Sequence, residues 1–443
     1  MKTNTSFKNI NKLAIPALIA GIAEPLLSIT DTAIIGNINE NATESLAAVG
    51  IVGAFISMLI WVFGQIRSAI SSIISQYVGA NKLDEVKALP AQAIAIVVVG
   101  SLFVLAISYP FAKQIFQFYN ASESVLEYCI TYFKIRIFGF PFSLFVFAVF
   151  GIFRGLQNTF YPMIIAIIGA LLNVVLDLVF VYGVEGYIPA MNIEGAAYAS
   201  IIAQIVMAII ALVLLIKKTP ISLKITFKVH PEIPRLLGMI ANLFVRTIAL
   251  NTALYFATSY ATDYGKEYIA AYTIGINIWL LGAFMVDEYS SAGNILSGKF
   301  LGAKDYTSLV ALSNKLLKYG LSTGIIIGLV GAVFYNFIGQ IFTKDPAVLE
   351  QFYNVFWIVL ITQPISAITF IFDGIFKGMG EMKYLRNLLI LSTGFVFIPT
   401  LLVFDYYDLK LTAIWIAFTL WMIARGLPLI IKFRKKFLPL VEQ

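Results

Sequence analysis

Twelve long apolar segments, separated by short polar connections, leave this chain few folds to adopt. They run roughly over 13–37, 46–78, 88–110, 124–154, 158–183, 195–217, 235–261, 268–301, 308–335, 347–377, 384–404 and 411–432. About 20 apolar residues suffice to cross a bilayer as a helix. Several segments are longer than that and are expected to tilt or to project beyond the hydrocarbon. Lipid offers no hydrogen bonds, so a spanning backbone must satisfy its own polar groups, and segments of this length do so as helices. The bulk composition agrees, with 443 residues of which 60% are hydrophobic and 12% charged. The expected class is an all-α membrane protein. The opening stretch MKTNTSFKNINKL leads straight into the first span without an A-x-A site, so no cleavable signal peptide is expected.

Charge is sorted by side. Lysines and arginines crowd into one alternating set of connections, while the opposite set holds only Lys113, Lys266, Lys344 and Lys410. The positive-inside rule then places both termini in the cytoplasm, and an even number of spans agrees. The net charge of +7 is accounted for by this placement, and a nucleic-acid partner is not expected. The chain also repeats itself. GIFRG at 151–155 matches GIFKG at 374–378, and the same shift of 223 aligns Pro141 with Pro364, YVGA (77–80) with FLGA (300–303) and ESLAA (44–48) with EYIAA (267–271). One shift holding over so long a stretch marks an internal duplication. The expected organisation is an N-terminal six-helix bundle over 1–217, a cytoplasmic linker over 218–234 and a C-terminal six-helix bundle over 235–443. Parallel repeats of this kind bind ligand between or within the halves and alternate access by rocking.

The chemistry concentrates in the first half. Asp31 lies in LLSITDTAIIG. A carboxylate at mid-membrane costs roughly 2.5–3.5 kcal/mol on insertion scales and is tolerated mainly where it faces a cavity, a partner or an ion path. Glu24 stands two helical turns earlier on the same face. Between them, Pro25 cannot donate to the carbonyl of Gly21 and crowds that turn, so the first helix is expected to bend there. Asn173 and Asp177 share one face of the fifth span, and Asp177 falls at nearly the depth of Asp31. Tyr132 and Ser200 reach the same level from the fourth and sixth spans, and with Gln65 they are candidate cavity-lining residues. Two carboxylates in one low-dielectric site cannot both stay ionised without compensation, and they titrate as a pair. Such a site takes up a proton, holds sodium among oxygens from Asp31, Asn173, Asp177 and Ser200, or binds an organic cation. Competition among these is the minimal physics of an antiporter.

The second half does not repeat this set: Asp31 becomes Leu254, Glu24 becomes Thr247 and Asn173 becomes Val396. It carries Asp287, Glu288, Asp373 and Arg246 instead, with Glu288 at the position of Gln65. Arg67 and Arg246 are candidate counter-ions to buried acids, and both a structural and a functional role stay open for Glu288 and Asp373. The single cysteine, Cys129, excludes an internal disulfide. The single histidine, His230, lies in the linker, so proton handling within the membrane falls to carboxylates. No nucleotide-binding loop, metal-ligand cluster or hydrolytic constellation is present in the sequence. The chain is therefore expected to be no enzyme, to need no cofactor, and to run on a gradient of protons or sodium.

EPLLSITDTAIIG, ESLAAVG, GANK, YFKIRIFGFPF with FRGLQNT, NVVLDLVFVYG and GAAYASIIAQ, in this order and spacing, resemble the multidrug and toxic compound extrusion (MATE) family. The DTAIIG form is similar to its DinF-like branch. The resemblance covers essentially the whole chain. It implies a V-shaped transporter of twelve helices in two pseudo-symmetric bundles, acting as an outward antiporter of cationic or amphipathic small molecules, monomeric in the cell membrane. It places the N-lobe cation site on Asp31, Asn173 and Asp177, with Ser200 where related chains often carry threonine, and Glu24 and Tyr132 on the cavity lining. Helix bending would fall on Pro25. The carboxylate that the NorM-like branch carries in its tenth helix corresponds here to Ser366, with Asp373 two turns later, so an ion site of that type in the second half is not expected. Two alternatives are a lipid-linked glycan flippase, whose candidate intramembrane bases would be Arg67, Lys134, Arg136 and Arg246, and a non-transporting scaffold or receptor. A major-facilitator fold is disfavoured because GANKLDEVK stands where that fold has its basic loop signature.

Overall fold

Every long apolar segment becomes a helix. The structure, a computed structural model, describes residues 5–38, 41–119, 121, 123–224 and 228–441, with the side chains of 23–29 and 123 left undescribed. Its twelve long helices are α1 (Phe7–Ile35), α2 (Ala42–Gly79), α3 (Leu83–Ser108), α4 (Ser124–Gly155), α5 (Phe160–Tyr182), α6 (Asn192–Lys218), α7 (Ile233–Asp263), α8 (Lys266–Gly302), α9 (Tyr306–Val333), α10 (Pro346–Gly378), α11 (Met382–Tyr406) and α12 (Leu411–Leu440). The eleven from α2 to α12 are long and apolar enough to cross a membrane. At 29 residues, α1 also has the length. Among the described residues the only strand-like pairing is an isolated bridge between Val184 and Ile188, in the turn after α5.

Helix α3 is interrupted at Lys87–Ala88 and α12 ends in a 3-10 turn at Leu438–Leu440; three further helices deviate within their length, and proline accounts for two of those deviations. Ile137–Gly139 in α4 tighten to a 3-10 turn just before Pro141. In α11, Thr393–Phe397 widen into a π-turn just before Pro399. Proline lacks the N–H that would close the preceding turn, and such turns redistribute the freed carbonyls. The third break is in α2 at Gly64–Gln65, where a Cβ on Gly64 would meet the Ile60 carbonyl oxygen at 2.5 Å.

The chain divides into two compact units, one of Ile15–Ile74 and Lys82–Leu237, the other of Met1–Ala14, Ser75–Asn81 and Gly238–Gln443. In the first, the connection after α6 is tied to α3: Gln92 Nε2 donates to Lys228 O, and His230 N donates to Gln92 Oε1, each at 2.8 Å. In the second, Trp415, Phe418, Trp421 and Phe397 form a fully buried aromatic cluster between α11 and α12.

The duplication is visible inside each unit. A Cβ on Gly151 would meet Arg67 O at 2.7 Å, and one on Gly155 would meet Ser71 O at 3.2 Å. In the other unit, a Cβ on Gly374 would meet Ser290 O at 2.2 Å, and one on Gly378 would meet Asn294 O at 2.1 Å. All four glycines and all four partners are related by the same shift of 223. The repeated G-x-x-x-G thus has a physical cause. It lets α4 approach α2, and α10 approach α8, backbone against backbone, as small residues do at membrane helix interfaces.

Candidate functional site

Asp31 of α1 is 7% exposed and Asp177 of α5 is fully buried. Four residues along a helix bring side chains to one face, so Asn173 sits one turn from Asp177 and reaches it directly. Its amide nitrogen Nδ2 donates to Asp177 Oδ2 and, at 3.2 Å, to Asp31 Oδ1. From α6, Ser200 Oγ donates to Asn173 Oδ1 at 3.3 Å, which fixes the amide with its N–H groups toward the acids. Tyr182 Oη donates to Ile34 O at 2.9 Å and ties α5 to α1 one turn further along. The two carboxyls stand within hydrogen-bonding reach of each other. Asp177 Oδ1 is buried with no hydrogen-bond partner among the described residues. An oxygen in that position is served by a proton shared with Asp31 or by a cation.

A cavity of about 140 Å³ opens beside this group. Asp31, Asn173, Tyr132, Arg136, Ser57, Ser143 and Gln204 supply its polar lining, and Ile56, Phe147, Phe150 and Met207 are among its apolar walls. Arg136 lies one turn after Tyr132 on the same face of α4, and both line the cavity. Gln204 Oε1 is buried and has no partner among the described residues. Met207 packs over Gly169, where a Cβ would lie 2.1 Å from its sulfur. A flexible thioether wall of this kind adapts to ligands of different shape.

The structure thus brings together Asp31, Asn173, Asp177 and Ser200 and sets Tyr132 on the adjacent cavity. Ser200 stands behind Asn173 rather than on the lining. Gln65 is not on that lining either; it lies at the break in α2, which a reading of 46–78 as one unbroken helix misplaces. The side chains of Glu24 and Pro25 fall outside the described residues. Arg136, until here a candidate base of the flippase alternative alone, and Gln204, not expected at all, join the cavity. The spacing Tyr132–Arg136 on one helical face was the available signal for the first, and no sequence signal marks the second.

In the second unit, Asp373 of α10 is buried and saturated. Arg246 Nη2 of α7 pairs with its Oδ1 at 2.6 Å, and Lys377 Nζ, one turn along, pairs with its Oδ2 at 2.9 Å. Arg425 of α12, also buried, stacks on Trp421 with 4.7 Å to the ring centroid. Ser366 accepts a hydrogen bond from Trp279 Nε1 at 3.0 Å. Glu288 of α8 is buried, and Asp287 is half-buried.

Buried carboxyls on facing membrane helices, beside a cavity and within one half of a duplicated bundle, are the build of a transporter. The chain belongs to the multidrug and toxic compound extrusion family: the family model described as MatE matches residues 16–179 and 243–403. Members of this family are membrane transporters, not enzymes. The chain is 26% identical to the DNA damage-inducible protein F of Escherichia coli (strain K12) over 442 residues, 97% of this chain and 93% of that one. It is 26% identical to the multidrug resistance protein NorM of Vibrio vulnificus (strain CMCP6) over 408 residues, 88% of this chain and 86% of that one. In fold it is similar to a crystal structure of MATE in the bent conformation, with a TM-score of 0.90 at 20% identity, covering 98% of this chain and 96% of that one. The all-α membrane class and the family expected from the motifs both hold, and the DinF-like branch is consistent with these relatives.

Proposed function

We propose that this chain is a secondary active efflux antiporter that exports cationic, lipophilic small molecules in exchange for protons, coupled at Asp31, Asn173 and Asp177 in the N-lobe. One observation carries the reading: a single amide bridges two buried carboxyls next to a cavity. When that pair is deprotonated, the cavity attracts a cation. When a proton enters, the attraction falls and the cation leaves. Alternating access then exposes the site to each side in turn, with the halves 1–217 and 235–443 as the moving lobes, 218–234 as their linker, Pro25 as the bending point of α1, and both termini cytoplasmic. The protein acts as a monomer in the plasma membrane.

Protons are favoured over sodium by the orientation of Asn173. Its N–H groups face the carboxyls and its oxygen faces Ser200, so the amide offers the acids donors rather than an extra oxygen ligand. Sodium would need Asp31, Asp177, Asn173 Oδ1 and Ser200 turned toward one point. The flippase alternative draws support from Arg136 on the cavity, but that guanidinium shares the cavity with Asp31, and an anionic headgroup would meet a carboxylate there. In vesicles carrying the purified protein, efflux of a lipophilic cation is expected under a proton gradient alone and not under a sodium gradient alone. Equal flux in Asp177→Asn and the wild type would overturn the coupling site. Flux driven by sodium alone would overturn the choice of ion.

A further inference from the structure

Neither the carboxyl pair nor the Asp373 cluster makes use of the basic end of α12. There the helix reads IIKFRKKF, and with the start of α11 it forms a cleft of about 530 Å³ lined by Tyr384, Leu427, Pro428, Ile431, Lys432, Lys435 and Lys436. The cleft is two-natured. Its inner part is apolar, with Leu427 54% and Ile431 44% exposed. These two continue an exposed stripe from Leu420 and Ile423 along the same face of α12, and the next position of that stripe is Lys435. At about 1.5 Å per residue, the stripe from Leu420 to Ile431 covers about 16 Å, close to the half-thickness of a bilayer's hydrocarbon core.

The outer part is positively charged and partly fixed. Lys432 Nζ lies 3.6 Å from the Tyr384 ring centroid and pairs with Glu381 Oε2 at 3.2 Å. Lys436 Nζ pairs with Glu381 Oε1 at 3.0 Å. One carboxylate therefore serves two ammonium groups, and Lys435 is exposed with no acidic partner among the described residues. The cleft carries surplus positive charge at the end of an apolar track, with Lys432 and Lys436 anchored so that their ammonium groups need little ordering on binding.

We infer that this cleft between α11 and α12 is a binding site for an anionic phospholipid, whose phosphate meets Lys432, Lys435 and Lys436 while an acyl chain lies along Ile431, Leu427 and the stripe beyond. Basic side chains at a membrane-helix end attract anionic headgroups. Here the apolar track argues for a lipid over a free anion, because an inorganic phosphate gains nothing from Leu427 and Ile431. The site is independent of the carboxyl pair and of the transport reading.

The test is native mass spectrometry of the purified full chain titrated with phosphatidylglycerol, with phosphatidylcholine of the same acyl chains as comparison. The wild type is expected to retain phosphatidylglycerol at least tenfold more tightly. Lys432→Gln/Lys435→Gln and the charge reversal Lys435→Glu are each expected to lose most of that preference. Lys217→Gln/Lys218→Gln, at the basic end of α6, is expected to change it less than twofold. Equal retention of the two lipids overturns the proposal. So does equal loss in the α6 variant, which would mean a diffuse charge effect. Displacement of the lipid by millimolar inorganic phosphate would reassign the cleft to a simple anion site. Thermal unfolding of each variant, monitored in parallel, separates lost binding from lost fold.

Discussion

Two buried acid clusters, one in each half, show opposite ways of holding a charge in a membrane protein. Asp373 has both oxygens taken by cations, Arg246 and Lys377, with Arg425 close by. Asp31 and Asp177 share a neutral amide, and one oxygen of the pair has no hydrogen-bond partner among the described residues. The first arrangement is closed, since nothing can be added without breaking an ion pair. The second is open, and a proton or cation completes it. Burial alone therefore does not mark a coupling residue; an incomplete partner set does.

The contrast is sharpest under neutralising substitution. Asp177→Asn is expected to reduce proton-driven efflux at least a hundredfold while leaving thermal stability unchanged or raised, because the like-charge strain is gone. Flux in vesicles and a melting curve on the same preparation read both. Asp373→Asn is expected to do the reverse. It leaves the buried Arg246 and the part-buried Lys377 short of a carboxylate and costs on the order of 3–5 kcal/mol of stability, while the surviving folded fraction transports with its wild-type proton dependence. If Asp373→Asn instead abolished coupling at full stability, the distinction between open and closed clusters would fail.

Smaller effects refine the comparison. Ser200→Ala removes the hydrogen bond that orients Asn173 and is expected to weaken coupling several-fold, with about 1 kcal/mol lost in stability. A change confined to substrate affinity would instead place Ser200 on the ligand. The smallest effect concerns Glu381, in the connection between α10 and α11. Its burial disfavours the charge, but Lys436 and Lys432 outweigh that and hold its carboxyl below the ordinary 4.5. A depressed carboxylate stabilises the fold above its unfolded value, and that contribution fades as pH falls below 4.5. Being partly exposed, the group contributes less than about 1 kcal/mol. Glu381→Gln is expected to flatten this acid-side slope of the melting temperature and to leave neutral-pH transport intact.

The same physics decides which features were legible in the sequence. Helix number, duplication and the trio Asp31, Asn173 and Asp177 could be read because lipid penalises every unpaired polar group, so each exception to an apolar run carries information. Arg136 was harder to place: it was visible as an intramembrane base, and only its position one turn after Tyr132 pointed to the cavity wall. Gln65 lies at the Gly64–Gln65 break of α2 and off the lining of this cavity, and helical periodicity alone cannot see such a break. Asp373 could not be assigned from sequence because its partners come from 127 positions upstream and one turn downstream. Arg246 stood as a candidate counter-ion without a named acid, and only the fold brings it to Asp373.

The paired glycines of α4 and α10 also limit how relatives of this chain can vary in length. Each pair is separated by one turn and sits opposite carbonyls that are likewise one turn apart. A single inserted residue between them would rotate the remainder of the helix by about 100° and swing the second glycine away from its carbonyl. Insertions and deletions in either half are therefore expected to collect in the connections between helices. The stretches from Arg67 to Ser71, Gly151 to Gly155, Ser290 to Asn294 and Gly374 to Gly378 should keep a constant residue count even where their side chains change.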